Sequence, residues 1–86
     1  METVRVRYWA AARAAAGRDG DDVSGGTLAD VLAEVRRQHA DNARFLRVVD
    51  VCSVLVGEQP VGSQDPASVR VAPGETVELL PPFAGG

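Results

Sequence analysis

The sequence predicts an α+β fold in which a mixed sheet of four or five strands is crossed by one main helix. Three observations carry this expectation. Thr3 to Trp9 alternates in polarity, the period of a strand with one face buried. Leu28, Val31, Leu32 and Val35 follow the i, i+3, i+4, i+7 spacing of an amphipathic helix. Val51 to Val56 is an apolar run rich in β-branched side chains, which suits a strand buried on both faces or nearly so. The chain has 86 residues, which is one domain with one modest core. Chains of this size bury about 60–65% of their unfolded surface and keep a net stability of about 5–10 kcal/mol, so large catalytic folds are excluded.

In the first strand Val4, Val6 and Tyr8 share one face, and Thr3, Arg5, Arg7 and Trp9 the other. Ala10 to Ala16 is alanine broken only by Arg13 and followed by Gly17, a short helix with a glycine stop. Arg18 to Asp22 is turn-prone, and Asp22-Val23-Ser24 is a short edge strand before Gly25-Gly26. The main helix starts after Thr27, an N-cap with Asp30 three residues on, and runs to about His39, with Glu34, Arg36, Arg37 and Gln38 on its polar side. Asp41 to Arg47 reads as a connection that drops Phe45 into the core. Gly57 to Pro66 is mainly loop with a short strand near Val61, and Val69-Arg70-Val71 is a brief strand. Pro73 and Gly74 occupy the two central positions of a type II turn. Thr76 to Leu80 is the last strand, ended by Pro81 and Pro82, which cannot donate to a ladder. This order is that of a β-grasp: a domain over residues 1–80 and an extended tail over 81–86.

The formal charge is −3, and all nine cationic residues are arginine, scattered along the chain. That balance argues against nucleic acid or an anionic membrane as the main partner, because both depend on clustered cation–phosphate contacts. No apolar stretch is long enough to cross a bilayer, no secretory signal opens the chain, and one cysteine makes no internal disulfide. A soluble, cytoplasmic protein is expected. Cys52 falls in the buried strand and reads as a core residue, while His39 at the helix end reads as solvated or capping. One Cys and one His do not make a metal site, and no nucleophile–base pair can be proposed. Gly25-Gly26 is a turn, and no phosphate-binding loop with its lysine exists. The chain is therefore expected to bind no cofactor of its own.

The tail Pro81-Pro82-Phe83-Ala84-Gly85-Gly86 carries the chemistry. Two prolines favour an extended arm rising about 3.1 Å per residue, so the tip can project up to roughly 20 Å. Two glycines without Cβ atoms let that tip enter a channel closed to other residues. A carboxylate is a poor acyl electrophile, so a carrier using this tip needs ATP and a separate enzyme to make an acyl adenylate. A sulfur donor attacking that adenylate leaves a terminal thiocarboxylate, and positioning is then this protein's contribution.

Nearly the whole chain resembles the MoaD/ThiS family of ubiquitin-like sulfur carriers, most closely those serving as small subunits of molybdopterin synthases. The resemblance lies in Val4 to Arg13 with Gly17, in Thr27 to Val35, in Pro73 to Val77 and above all in Leu79 to Gly86. It implies that an E1-like adenylyltransferase uses ATP to adenylate Gly86, which a sulfur donor protein converts to the thiocarboxylate. The large synthase subunit then uses that sulfur on cyclic pyranopterin monophosphate in molybdenum cofactor biosynthesis. The small subunit alone is not catalytic; it is the sulfur-donating part of a sulfurtransferase. The resemblance further implies that Gly85, Ala84 and Phe83 line the partner's tunnel. Pro82, Pro81, Leu80 and Trp9, with Pro60, belong to its docking face. Gly57-Glu58 and Pro73 to Thr76 depart from the family's turns. Related carriers for thiazole or cysteine biosynthesis share the Gly-Gly tip, and ubiquitin-like modifiers and a passive interaction domain are the competing classes. Absence of lysine excludes lysine-linked polymers of the chain itself.

Overall fold

The computed structural model describes residues 3–82. Alternation does in β1 (Thr3–Tyr8) what the pattern requires: Val4, Val6 and Tyr8 are buried and Thr3, Arg5 and Arg7 exposed. Helix α1 (Ala10–Ala16) ends at Gly17, whose φ of 78° is the left-handed stop and whose N–H bonds the Arg13 carbonyl. Strand β2 (Gly20–Ser24) starts two residues earlier than the sequence suggests, and Gly20 is the reason. It lies opposite Arg7, and a Cβ there would stand 2.4 Å from the Val6 carbonyl oxygen, so only glycine lets the strands approach.

After β3 (Gly26–Thr27), helix α2 (Leu28–Gln38) opens with a capping box. Asp30 N–H donates to Thr27 Oγ1 at 3.1 Å, and Thr27 N–H to the Asp30 carboxylate at 3.2 Å. Leu28, Val31 and Val35 are fully buried, whereas Leu32 is only half-buried. The expected connection after it is instead mostly helical, α3 (Ala43–Val49). Asn42 supplies the missing start signal, accepting the Phe45 N–H at 3.0 Å, and its amide donates to the Ala15 carbonyl of α1 at 2.9 Å. Phe45 does enter the core, with Val49 one turn on.

The apolar run that follows is a strand only from its third residue, β4 (Ser53–Val56). Val51 and Cys52 complete the exit from α3, their N–H groups bonding the Val48 and Val49 carbonyls, and Val51 is 61% exposed. Nor is β4 buried on both faces. Val54 and Val56 face the core, opposite Leu79 and Val77, whereas Ser53 and Leu55 turn to the open face of the sheet. A hairpin through Gly57 and Glu58 leads to β5 (Gln59–Pro60), just before rather than at Val61. A 3₁₀ turn (Pro66–Ser68), β6 (Arg70–Val71) and the expected turn precede β7 (Thr76–Leu80). In that turn Gly74 has φ 90° and Glu75 N–H bonds the Ala72 carbonyl.

The main sheet has the order β2-β1-β7-β4-β5, and β3 pairs separately with β6. β1 and β7 are parallel, with Val6 beside Val77 and Tyr8 beside Leu79, and the other neighbours are antiparallel. This is the mixed sheet with a crossing helix that the sequence predicts, carrying two shorter helices as well. One face packs Val4, Val6, Tyr8, Val77 and Leu79 with Leu28, Val31, Val35 and Phe45 of the helices. Among the described residues no helix is long and apolar enough to cross a membrane.

Candidate functional site

The register of β7 fixes what surrounds the root of the tail. Leu79 is fully buried, so Leu80, the next residue on a strand, turns to the open face. There it lies beside Ser53 across the β4 ladder. On the same face come Arg5, Arg7, Thr76, Glu78 and Leu55, with Pro60 opposite Leu55. Arg5, Arg7, Ser53 and Pro60 are exposed, and Leu55, Glu78 and Leu80 half-buried. A surface with apolar centres among charged neighbours is suited to a protein partner.

Trp9 closes this face where β7 ends. Its backbone N–H bonds the Leu79 carbonyl at 3.2 Å, its indole N–H donates to Glu78 Oε1 at 3.0 Å, and the Arg7 guanidinium lies 4.8 Å from the ring centroid. These contacts hold the ring in place while leaving it 36% exposed. Trp9 is therefore a surface residue and not part of the core. Pro81 is half-buried and Pro82 exposed. Phe83, Ala84, Gly85 and Gly86, the rest of the expected site, lie outside the described residues.

The two reactive side chains sit elsewhere. Cys52 is half-buried against the core, its thiol donating to the Val48 carbonyl at 3.3 Å, and burial pushes its pKa up to about 11. It is inert at neutral pH. The expectation of a solvated His39 is overturned: its ring is only 4% exposed. Chain position makes it the α2 C-cap, yet the ring turns inward, 4.1 Å from the Phe45 centroid, with Nε2 2.9 Å from Asp21 Oδ2. The Tyr8 hydroxyl donates to the same oxygen at 2.6 Å, and Arg18 pairs with Asp21 at 2.8 Å. The Arg18 guanidinium lies 3.2 Å from the same His39 nitrogen, so the imidazole is held between the carboxylate and the guanidinium.

Burial works against the charge on Asp21, but hydrogen bonds from Tyr8, His39 and Arg18, with the Arg18 charge, hold its carboxyl below the ordinary value. Burial first, and then the Asp21 hydrogen bond and charge, raise the Tyr8 hydroxyl well above its usual range. This cluster ties β1, β2 and the end of α2 together and stands on the core side of the sheet, away from the tail face. It was legible in part. Asp21 lies two residues from Val23 on the same side of a strand, and a buried Tyr8 needs a partner for its hydroxyl.

The model of the ThiS family matches residues 6–86. The chain belongs to the ThiS family. Among solved structures, small archaeal modifier protein 1 from Methanosarcina acetivorans is 20% identical over 100% of this ThiS-family chain and 98% of its own, with a TM-score of 0.79. A protein described as putative molybdopterin converting factor subunit 1, from Pyrococcus furiosus, is 20% identical over 95% and 99%, with a TM-score of 0.72. A complex of subunits 1 and 2 of the molybdopterin-converting factor from Helicobacter pylori contains a chain 19% identical over 98% and 99%, with a TM-score of 0.65. No curated protein matches the chain. At these identities the solved structures establish the ubiquitin-like β-grasp fold. The ThiS-family chain thus has the fold of both sulfur carriers and protein modifiers.

Proposed function

We propose that this protein is the sulfur-carrying small subunit of a molybdopterin synthase, acting in the cytoplasm. The observation that carries the reading is a Pro-Pro-Phe-Ala-Gly-Gly tail issuing from β7 of a ThiS-family β-grasp, beside an open face bearing Trp9 and Leu80. An E1-like adenylyltransferase docks on that face and joins AMP from ATP to the Gly86 carboxyl. A sulfur donor protein displaces AMP, and the terminus becomes a thiocarboxylate. The large subunit then admits Gly85, Ala84 and Phe83, while Pro81, Pro82, Leu80 and Trp9 stay at the mouth of its channel. Acid–base groups and the pterin pocket belong to the partner. The complexed converting factor from Helicobacter pylori supports a second subunit as that partner.

Similarity to small archaeal modifier protein 1 favours a second reading, in which the activated terminus is joined to lysines of other proteins. Carriers for thiazole or cysteine biosynthesis share the Gly-Gly tip and form a third. Intact-mass analysis after incubation with an activating enzyme, ATP and a sulfur donor tests the carrier step. One terminal oxygen replaced by sulfur is expected, and an unchanged mass with a competent enzyme refutes it. Sulfur transfer to cyclic pyranopterin monophosphate by the large subunit then separates the molybdopterin role from the other two.

A further inference from the structure

Every cation on this protein is an arginine, so no side chain carries a primary amine. A guanidinium stays protonated and is not a nucleophile at neutral pH, whereas a lysine always has a small reactive fraction. An acyl adenylate or thioester at Gly86 would react with any lysine it could reach. The carbonyl–oxygen or carbonyl–sulfur bond breaks, an amide bond forms, AMP or thiol leaves, and the amine proton passes to water. Six residues separate Leu80 from the terminal carboxyl, a contour of about 20 Å.

Two positions bear on that reach. Arg7 lies beside Glu78 on the open face, and its guanidinium is stacked on Trp9 at the root of the tail. Ser53, exposed, faces Leu80 directly. Both places lie within that contour of the terminal carboxyl, so a lysine at either would compete with a partner's nucleophile.

We propose that arginine in place of lysine is a specificity device: it keeps the activated terminus from acylating its own body or a second copy, and so reserves it for the partner's nucleophile. The idea rests on the reading of Gly86 as an activated terminus, but its test does not need the activating enzyme. The protein is prepared with Gly86 as a thioester by intein cleavage and followed by intact mass at neutral pH. Wild type is expected to lose its thioester only by hydrolysis. Arg7→Lys and Ser53→Lys are expected to give a product lighter than the hydrolysed chain by one water, resistant to hydroxylamine, and mapped to the new lysine after proteolysis. Arg70→Lys serves as the distant control. Arg70 pairs with Thr27 in the small sheet, which joins the main one near Thr3 and Gly74, away from the tail root. Both near lysines staying linear for as long as wild type would overturn the proposal, as would wild type or Arg70→Lys cyclising as fast as the near variants. Failure of the carrier reading instead appears as no adenylation of wild type by a competent enzyme, with the thioester results unaffected.

Discussion

Replacing Trp9 by alanine separates docking from stability, and the structure sets both magnitudes. An aromatic side chain of this kind offers about 250 Å², of which 36% is exposed. About 90 Å² is therefore available to a partner, worth about 2 kcal/mol at roughly 25 cal/mol per Å², or about a thirtyfold weakening of Kd. Within the chain the substitution removes the bond to Glu78, the stack with Arg7 and the ring's partial packing. These together amount to about 1–3 kcal/mol. Phe45→Ala, at a side chain with no exposure, should cost about 3–5 kcal/mol. Urea unfolding gives the stabilities, and titration calorimetry against the activating enzyme or large subunit gives the affinities. A Trp9→Ala midpoint as low as that of Phe45→Ala would place the ring in the core. Affinity within twofold of wild type would remove Trp9 from the docking face.

Deleting Gly86 should abolish adenylation, scored by pyrophosphate release, and leave the melting temperature unchanged; Leu28→Ala should do the reverse, costing about 2–5 kcal/mol through a cavity under α2. The Asp21 carboxyl is held below its ordinary value of 3.8, so its contribution to stability is complete above that value and lost as pH falls through the lowered one. Urea midpoints measured from neutral pH into acid should therefore fall more steeply for wild type than for Asp21→Asn, and equal acid slopes would contradict the cluster. Glu58 sits at φ 72° beside Gly57 at 55° in a two-residue hairpin turn. A non-glycine residue there costs about 1–2 kcal/mol, and glycine's own entropy returns part of it, so Glu58→Gly should raise stability by about 0.5–1 kcal/mol in a thermal melt.

Legibility followed the range of the physics involved. Helix α1, strand β7 and the body of α2 were readable because each is set by local terms: alanine content, a glycine stop, a capping box, and periodicity. Helix α3 was hidden because its start depends on Asn42, and its polar residues Arg44 and Arg47 sit on the one face that never meets the core. The run from Val51 was misjudged because β-branched residues say nothing about which of them still belong to the turn. For His39 the capping position was readable and the burial of its ring was not. Its burial requires Asp21, Tyr8 and Phe45, which are brought together by three other elements, and no spacing encodes that meeting. Of the candidate site, the turn of Leu80 to the open face follows from alternation, but the anchoring of Trp9 by Glu78 is a cross-strand event visible only in the fold.

The topology sets how firmly the root of the tail is held. The tail leaves from the central strand, flanked by β1 on one side and β4 on the other. Pulling on its root therefore loads two ladders and the buried Leu79, not a fraying edge. The residues that fix the root lie on the two faces of one strand, Leu79 inward and Leu80 outward, so packing and docking are changed by different substitutions. An arm on edge strand β2 or β5 would lack that separation, since a partner's pull would open the only ladder that strand makes. On the proposed reading, the stable centre of the sheet is the fixed end from which the terminus is offered to a partner.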